Sequence, residues 1–172
     1  GTLALHRHDQ AAAHHFAVDP HRTSAANPMF ASNMAAGQEQ ILAQEINSMN
    51  TGAETLVIQA DLSKLDDIQA MIAQTLEKFG RIDILVNNAG FGRLDWLENL
   101  DPIKDIQAQI DLNVLGVIQT TRQVLPVMME QRSGSIINMC SMAGLVATPT
   151  YTVYAASKHA VHGFSEALRR EV

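Results

Sequence analysis

An α/β domain built on a doubly wound parallel sheet is the fold this sequence predicts, and three observations predict it. Short apolar runs of strand type alternate with longer segments of helical periodicity across residues 37–172. Each run stops at polar or glycine-containing residues: Asp61 after ETLVIQA, Asn87-Asn88-Ala89-Gly90 after IDILV, and Cys140-Ser141 after SIINM. IDILV is also continuous rather than alternating in its hydrophobicity, as expected of a strand covered on both faces. Strands alternating with helices imply right-handed crossovers and a parallel sheet between two helical layers. A ligand of such a sheet sits outside the carboxyl ends of its strands.

The elements follow in order. Residues 1–36 show neither helical nor strand periodicity and read as an irregular segment. Five of the seven histidines lie there: His6, His8, His14, His15 and His21. A metal-binding module is the alternative reading, but no cysteine accompanies them and their spacing repeats no zinc pattern. With no initiator Met at position 1, this stretch is expected to mark a fragment boundary or to be foreign to the domain. The domain itself is read over 37–172. A helix is predicted from Gly37 to about Met49, with Ile41, Leu42 and Ile46 on one side, and a turn at Asn50-Thr51-Gly52. After the strand that ends at Asp61, Ser63 is the expected helix cap, with Asp66 as its capping-box partner. That helix runs to about Phe79, where Gly80 ends it.

Asp101-Pro102 reads as a second helix start, a capping carboxylate followed by proline at the first helical position. The helix passes through Ile106, Ile110, Val114 and Ile118 to about Arg132, and Pro126 should end it early or bend it. Ser133-Gly134 turns the chain into SIINM. The loop SMAGLVATPT then leads to a last helix from about Tyr151 to the end.

Composition narrows the function. The 172 residues are 47% hydrophobic and 17% charged, with a formal net charge of -6, enough for one domain with one core. No basic run is present, which argues against nucleic acid and anionic membrane as partners. No apolar stretch reaches membrane-spanning length, and the first residues lack a signal-peptide core. The single cysteine, Cys140, excludes an internal disulfide and fits a cytoplasmic location.

Chemistry concentrates in Tyr154-Ala155-Ala156-Ser157-Lys158. Tyr and Lys at i and i+4 share one helix face. An ammonium beside a phenol favours the phenolate, which fits the phenol for acid–base work near neutral pH. Ser141, placed after a strand end, offers a hydroxyl for a substrate oxygen. Taken alone, such a pair is common on helix surfaces. The whole set is not: ADLS, NNAG, LNVLG, CSMAG and YAASK occur in one order, each on the appropriate element. In these motifs the chain resembles the short-chain dehydrogenase/reductase family, in its compact single-domain form, from about Gly37 to Val172.

That resemblance implies a Rossmann-like fold and an oxidoreductase using NAD or NADP on a small-molecule carbonyl or alcohol. It implies that Tyr154 is the proton donor or acceptor, that Lys158 tunes it and binds the nicotinamide ribose, and that Ser141 holds the substrate oxygen. Asn113 would lie at a helix irregularity and hold a water that relays protons to Lys158. Asp61 would contact the adenine with Leu62 beside it, and Asn88, Ala89 and Gly90 would line the cofactor cleft. No metal belongs to this set. A homodimer or homotetramer of the complete protein is implied too, packed through Ile118, Val124 and Val127 of the long helix and Val161, Phe164 and Leu168 of the last. Asn87 is expected to tie strands together, and Cys140 to be a small packing residue.

The sequence departs from the family at both ends. The family's Thr-Gly-x-x-x-Gly-x-Gly turn has no counterpart, since Gly1, Gly37 and Gly52 are the only glycines before Gly80. That turn cradles the cofactor pyrophosphate at a helix N-terminus. The first, second and last strands of the sheet are therefore expected to be missing. The alternative function is a non-catalytic fragment of such an enzyme that binds cofactor poorly.

Overall fold

The computed structural model describes residues 55–172 and, before them, the backbone of three short strands: β1 (Ala4–His6), β2 (His14–Val18) and β3 (Met29–Phe30). The helix expected over 37–49 and the turn at 50–52 lie outside the described residues, as do the side chains of the early histidines. A stretch without strand periodicity thus carries strands, none longer than 5 residues and so too short for alternation to register. β2 pairs antiparallel with β1, with β3 and with β4 (Val57–Ala60), the last in the register Phe16↔Ile58. This corrects the expectation of parallel pairing throughout. A strand must satisfy its backbone groups, and β2 supplies the partners for β4.

The parallel part of the fold is β5 (Ile84–Asn87) beside β6 (Ser135–Asn138), in register from Ile84↔Ser135 to Asn87↔Asn138. β5 is interior, with Leu85, Val86 and Asn87 buried, whereas β6 is largely exposed, Ile137 among its residues.

Between β4 and β5 lies α1 (Leu65–Phe79), which buries Ile68, Met71, Ile72 and Thr75 along one stripe. Burial of each such apolar side chain contributes roughly 1.5–3 kcal/mol. Gly80 closes α1 in the left-handed conformation at φ 72°, its N–H donating to the Leu76 carbonyl. The start of α1 differs from expectation. Its N-cap is Lys64, without a side-chain bond. Ser63 instead donates its N–H (3.0 Å) and hydroxyl (2.7 Å) to Asp61 Oδ1. Asp67, not Asp66, reaches back to accept the Asp61 N–H at 2.8 Å. A carboxylate two residues upstream competes for the serine and organises the turn.

Asp101 caps the long helical segment as expected, accepting N–H bonds from Ile103 (2.9 Å) and Lys104 (2.8 Å). Those donors hold its carboxyl below the usual carboxylate range. The segment begins with a π-helical stretch, Pro102–Gln107, followed by the α-helical turn α2 (Ala108–Ile110), a second π stretch, Asp111–Gly116, and the regular helix α3 (Val117–Gln131). Pro126 does not end α3, which continues to Gln131 and stops at Arg132 in the left-handed conformation. Gly116 brings this segment against the end of β4: a Cβ there would lie 2.8 Å from the Leu62 carbonyl oxygen. At its far end Gln131 acts as a short piece of strand, accepting the Ile82 N–H at 3.1 Å and donating to the Ile82 carbonyl at 2.8 Å.

The final helix, α4 (Thr152–Glu171), buries Val153, Ala155, Ser157, Lys158 and Val161. Val124 of α3 and Val161 of α4 are buried within the chain. This corrects their place among residues expected at a subunit interface; Ile118, Val127, Phe164 and Leu168 are half-buried. The core joins β4, α1, β5 and α3 through Ile58, Ile68, Met71, Leu85, Val124 and Met128. Among the described residues no helix is long and apolar enough to cross a membrane.

Candidate functional site

The site is built where β5 and β6 end beside α4 and the second π stretch. β5 ends on Asn87, whose Nδ2 donates to Thr121 Oγ1 at 3.0 Å and to Asn138 Oδ1 at 2.8 Å. Asn87 therefore ties the two strands to α3. Asn138 in turn donates to Ser165 Oγ of α4 at 2.9 Å. This buried polar seam fixes the strand ends relative to the helices.

Beyond Asn87 the chain runs through Asn88, Ala89 and Gly90, all half-buried. Asn113, fully buried in the π stretch, holds the next residue by both backbone groups. Its Oδ1 accepts the Phe91 N–H at 2.9 Å, and its Nδ2 donates to the Phe91 carbonyl at 2.7 Å and to Ser157 Oγ at 3.1 Å. The Ser157 hydroxyl in turn donates a hydrogen bond to the Tyr154 carbonyl at 2.7 Å. π-helical turns are rare and often mark functional positions. Here the turn carries the side chain that joins the β5 loop to α4.

Tyr154 and Lys158 share one face of α4, with Lys158 Nζ 5.8 Å from the centre of the Tyr154 ring. Lys158 is only 6% exposed, and its ammonium donates to the Met139 carbonyl at 2.9 Å. Burial pulls the Lys158 pKa below its ordinary value, an effect the neighbouring Cys140 sulfur partly opposes. Tyr154 is half-buried and packs edge-on against Tyr151, ring centres 6.2 Å apart. Two glycines face this pair. A Cβ at Gly90 would lie 3.0 Å from Asn113 Oδ1 and 3.6 Å from Lys158 Nζ, and one at Gly92 would lie 3.0 Å from Tyr154 Cδ2.

Ser141 follows β6 in extended conformation and caps a short 3-10 turn, Met142–Gly144, its Oγ accepting the Ala143 N–H at 3.2 Å. Its surroundings dock onto the backbone of Lys158. The Cys140 thiol donates to the Lys158 carbonyl at 3.3 Å, and a Cβ at Gly144 would lie 3.0 Å from the same oxygen. Cys140 is exposed, so its role is this contact rather than packing in a core.

The structure thus gathers Gly90, Asn113, Tyr154 and Lys158 around one point, with Ser141 joined to Lys158 through its neighbours. Asp61 and Leu62 stand apart, at the end of β4. The Asp61 carboxylate is engaged in its own turn by Ser63 and by Lys64, 3.3 Å away. The Leu62 side chain is in the core, 3% exposed, so it offers only backbone to a ligand. Leu62, Ala89 and Gly116 meet in a crevice too narrow to admit a water molecule.

Two residues in the site region escape the motif reading. Gln109, fully buried, accepts the Arg93 N–H at 3.1 Å and donates to the Asp105 carbonyl at 2.7 Å. Gly92 meets the Tyr154 ring. The available signal for Gln109 was its spacing, four residues after Asp105 and four before Asn113.

Comparison with known proteins identifies the family. The family model for short chain dehydrogenase matches residues 22–172. A 3-oxoacyl-(acyl-carrier-protein) reductase of Synechocystis sp. is 42% identical over 121 residues, which are 70% of this chain and 49% of that protein. An 11-beta-hydroxysteroid dehydrogenase 1A of Arabidopsis thaliana is 37% identical over 131 residues, 76% of this chain and 36% of the relative. The chain therefore spans about half or less of the length of these relatives. Among solved structures, a gluconate 5-dehydrogenase from Burkholderia cenocepacia, in complex with NADP and tartrate, superposes with a TM-score of 0.68 at 30% identity, covering 76% of this chain and 50% of that one. The chain belongs to the short-chain dehydrogenase family.

Proposed function

We propose that this protein is an oxidoreductase that uses NAD or NADP to interconvert a small-molecule carbonyl compound and its alcohol, with Tyr154, Lys158, Ser141 and Asn113 as its catalytic set. The observation that carries the reading is the buried Lys158 ammonium on the face of Tyr154, reached past a glycine that leaves its side open. A buried cation is costly to hold and is seldom kept without a task.

The residues fit the nicotinamide end of the cofactor. At Gly90 a methyl group would fill the space between Asn113 Oδ1 and Lys158 Nζ, so the glycine is what leaves that cradle open. Asn88 and Ala89 would line the same cleft, and Asp61 with the Leu62 backbone its adenine end. When bound, the nicotinamide supplies or accepts the hydride.

The chain's own residues handle the proton. Tyr154 Oη gives a proton to the carbonyl oxygen as it becomes an alkoxide, or takes one from the alcohol in the reverse direction. Lys158 favours the phenolate electrostatically and would help hold the cofactor ribose. Ser141 holds the reacting oxygen by a hydrogen bond. Asn113, through Phe91 and Ser157, keeps the β5 loop and α4 in register and supports proton relay toward Lys158. Leu94, Trp96, Leu145 and Val146 are exposed apolar side chains on the two loops that the Asp95 N–H to Thr150 carbonyl bond joins. They favour a substrate with apolar character.

One observation favours a second reading, a non-catalytic fragment: no glycine-rich turn for the pyrophosphate is recognisable in the sequence. Calorimetric titration with NADH and NADPH, followed by turnover of Tyr154→Phe, tests both. Loss of at least about a hundredfold in hydride transfer, with cofactor binding kept, is expected on the enzyme reading. Wild-type turnover in Tyr154→Phe refutes it. An absence of binding to either dinucleotide selects the second reading.

A further inference from the structure

Three polar residues stand at successive turns of the long helical segment: Asp105, Gln109 and Asn113. All three reach the loop after β5. Asn113 takes both backbone groups of Phe91. Gln109 takes the backbone N–H of Arg93 at 3.1 Å. Asp105 lies 3.5 Å from the Arg93 guanidinium Nε, and its own carbonyl accepts from Gln109 Nε2 at 2.7 Å. Gly92 lies between the two gripped residues, 3.0 Å from Tyr154 Cδ2 at its Cβ position.

We propose that Gln109 is a positioning residue: it pins Arg93 so that Gly92 is held against the Tyr154 ring, completing from the far side a clamp that Asn113 begins at Phe91. The clamp's functional meaning rests on the reading of Tyr154 as the acid.

The geometry explains why an amide occupies this place. Gln109 is fully buried, and a fully buried polar side chain persists where its bonds are satisfied. Its oxygen accepts from the loop and its nitrogen donates to the helix, so neither end is wasted and the side chain has one orientation. An apolar side chain of the same length would fill the volume but take away the acceptor that holds the Arg93 backbone N–H. Gly92 has no side chain to hold itself in place, so its distance from Tyr154 is set by its two neighbours. Asn113 fixes one of them and Gln109 the other. Without the Gln109 bond the main chain at Arg93 loses its buried anchor, and the side-chain ion pair with Asp105 does not fix the Gly92 backbone against the ring.

The test uses amide hydrogen exchange and ring resonances in the protein, with three variants. Gln109→Met keeps length and removes both hydrogen bonds. Exchange at the Arg93 amide should speed up about tenfold, and the Tyr154 ring resonances should shift. The Phe91 amide, held by Asn113, should keep its protection and serves as the internal reference. Gln109→Glu, held protonated by burial, keeps an acceptor oxygen for the Arg93 N–H and an O–H donor for the Asp105 carbonyl, and should restore protection at Arg93. Should Gln109→Met fail to fold, Gln109→Asn, shorter by one methylene, takes its place with the same expectation. In turnover, kcat should fall about tenfold with KM unchanged, because the clamp orients the acid rather than binding substrate.

Unchanged exchange at Arg93 overturns the proposal. So does equal acceleration at Phe91 and Arg93, which would report general loosening, and so does a raised KM with kcat intact. Failure of the catalytic reading shows separately: full turnover in Tyr154→Phe removes the acid role while the exchange result at Arg93 stands.

Discussion

Replacing Asn113 by leucine probes the joint between the β5 loop and α4. The change keeps the approximate shape and removes three hydrogen bonds: from the Phe91 N–H, to the Phe91 carbonyl, and to Ser157 Oγ. Ser157 retains its bond to the Tyr154 carbonyl, so the loss falls mainly on Phe91. At about 0.5–1.5 kcal/mol net for each bond, the total is about 1.5–4.5 kcal/mol. Against the roughly 5–15 kcal/mol that holds a domain folded, this is a large fraction. Equilibrium unfolding in urea, followed by circular dichroism, gives the difference from the shift in midpoint at constant slope. A loss below about 0.5 kcal/mol would refute the reasoning, because it would mean that Asn113 carries none of the loop's attachment. A steep change in slope instead would show that the loop and α4 unfold separately from the core.

Two further outcomes are expected. Lys158 has its pKa lowered by burial, so the unfolded chain holds that proton more tightly. Stability should therefore rise with pH in the window between the lowered value and the ordinary Lys value of about 10.4. Lys158→Met should remove that rise and stabilise the neutral-pH fold; urea midpoints with the same pH slope in both proteins would contradict the assignment. Gly144→Ala would put a methyl 2.5 Å from Cys140 Sγ and 3.0 Å from the Lys158 carbonyl oxygen. Overpacking of this kind costs about 1–3 kcal/mol. Adding Cys140→Ala should recover only part of the loss in thermal unfolding, since the backbone clash remains; full recovery would mean that the sulfur alone sets the fit.

Several elements that frame the candidate site could be read from the sequence because element ends show their local chemistry. Asp101-Pro102 announces a helix start, Gly80 a helix end, and Asn87 to Gly90 the edge of a buried strand. β5, β6 and α4 fall where their hydrophobic patterns put them. What stayed hidden depends on partners far along the chain. Nothing near HHFAV says that β4 will pair with it antiparallel, and strands of a few residues carry no period. Pro126 warns of a break, yet α3 continues past it; local propensity yields to the packing of Val124 and Met128 in the core. Ser63 has the identity of a cap, but Asp61 is nearer. Gln109 looks like one more polar residue on a helix until the loop at Arg93 folds over it. The π stretch around Asn113 agrees with the helix irregularity that the family resemblance implies, but composition marks neither π stretch, each being one extra residue in a turn that otherwise reads as α.

The contact at Gly116 has a mechanical meaning. Side chains absorb displacement by turning about their single bonds, whereas two main chains in contact have no such compliance. At Gly116 the π stretch rests directly on the Leu62 carbonyl, with no space even for a methyl group between them. The turn that carries Asp61 is therefore in main-chain contact with the stretch that carries Asn113. From Asn113 the contacts continue to Phe91 and, through Ser157, to the backbone of Tyr154. The end of β4 and the face of α4 are separated in sequence by nearly the whole described chain, yet one unbroken series of contacts joins them.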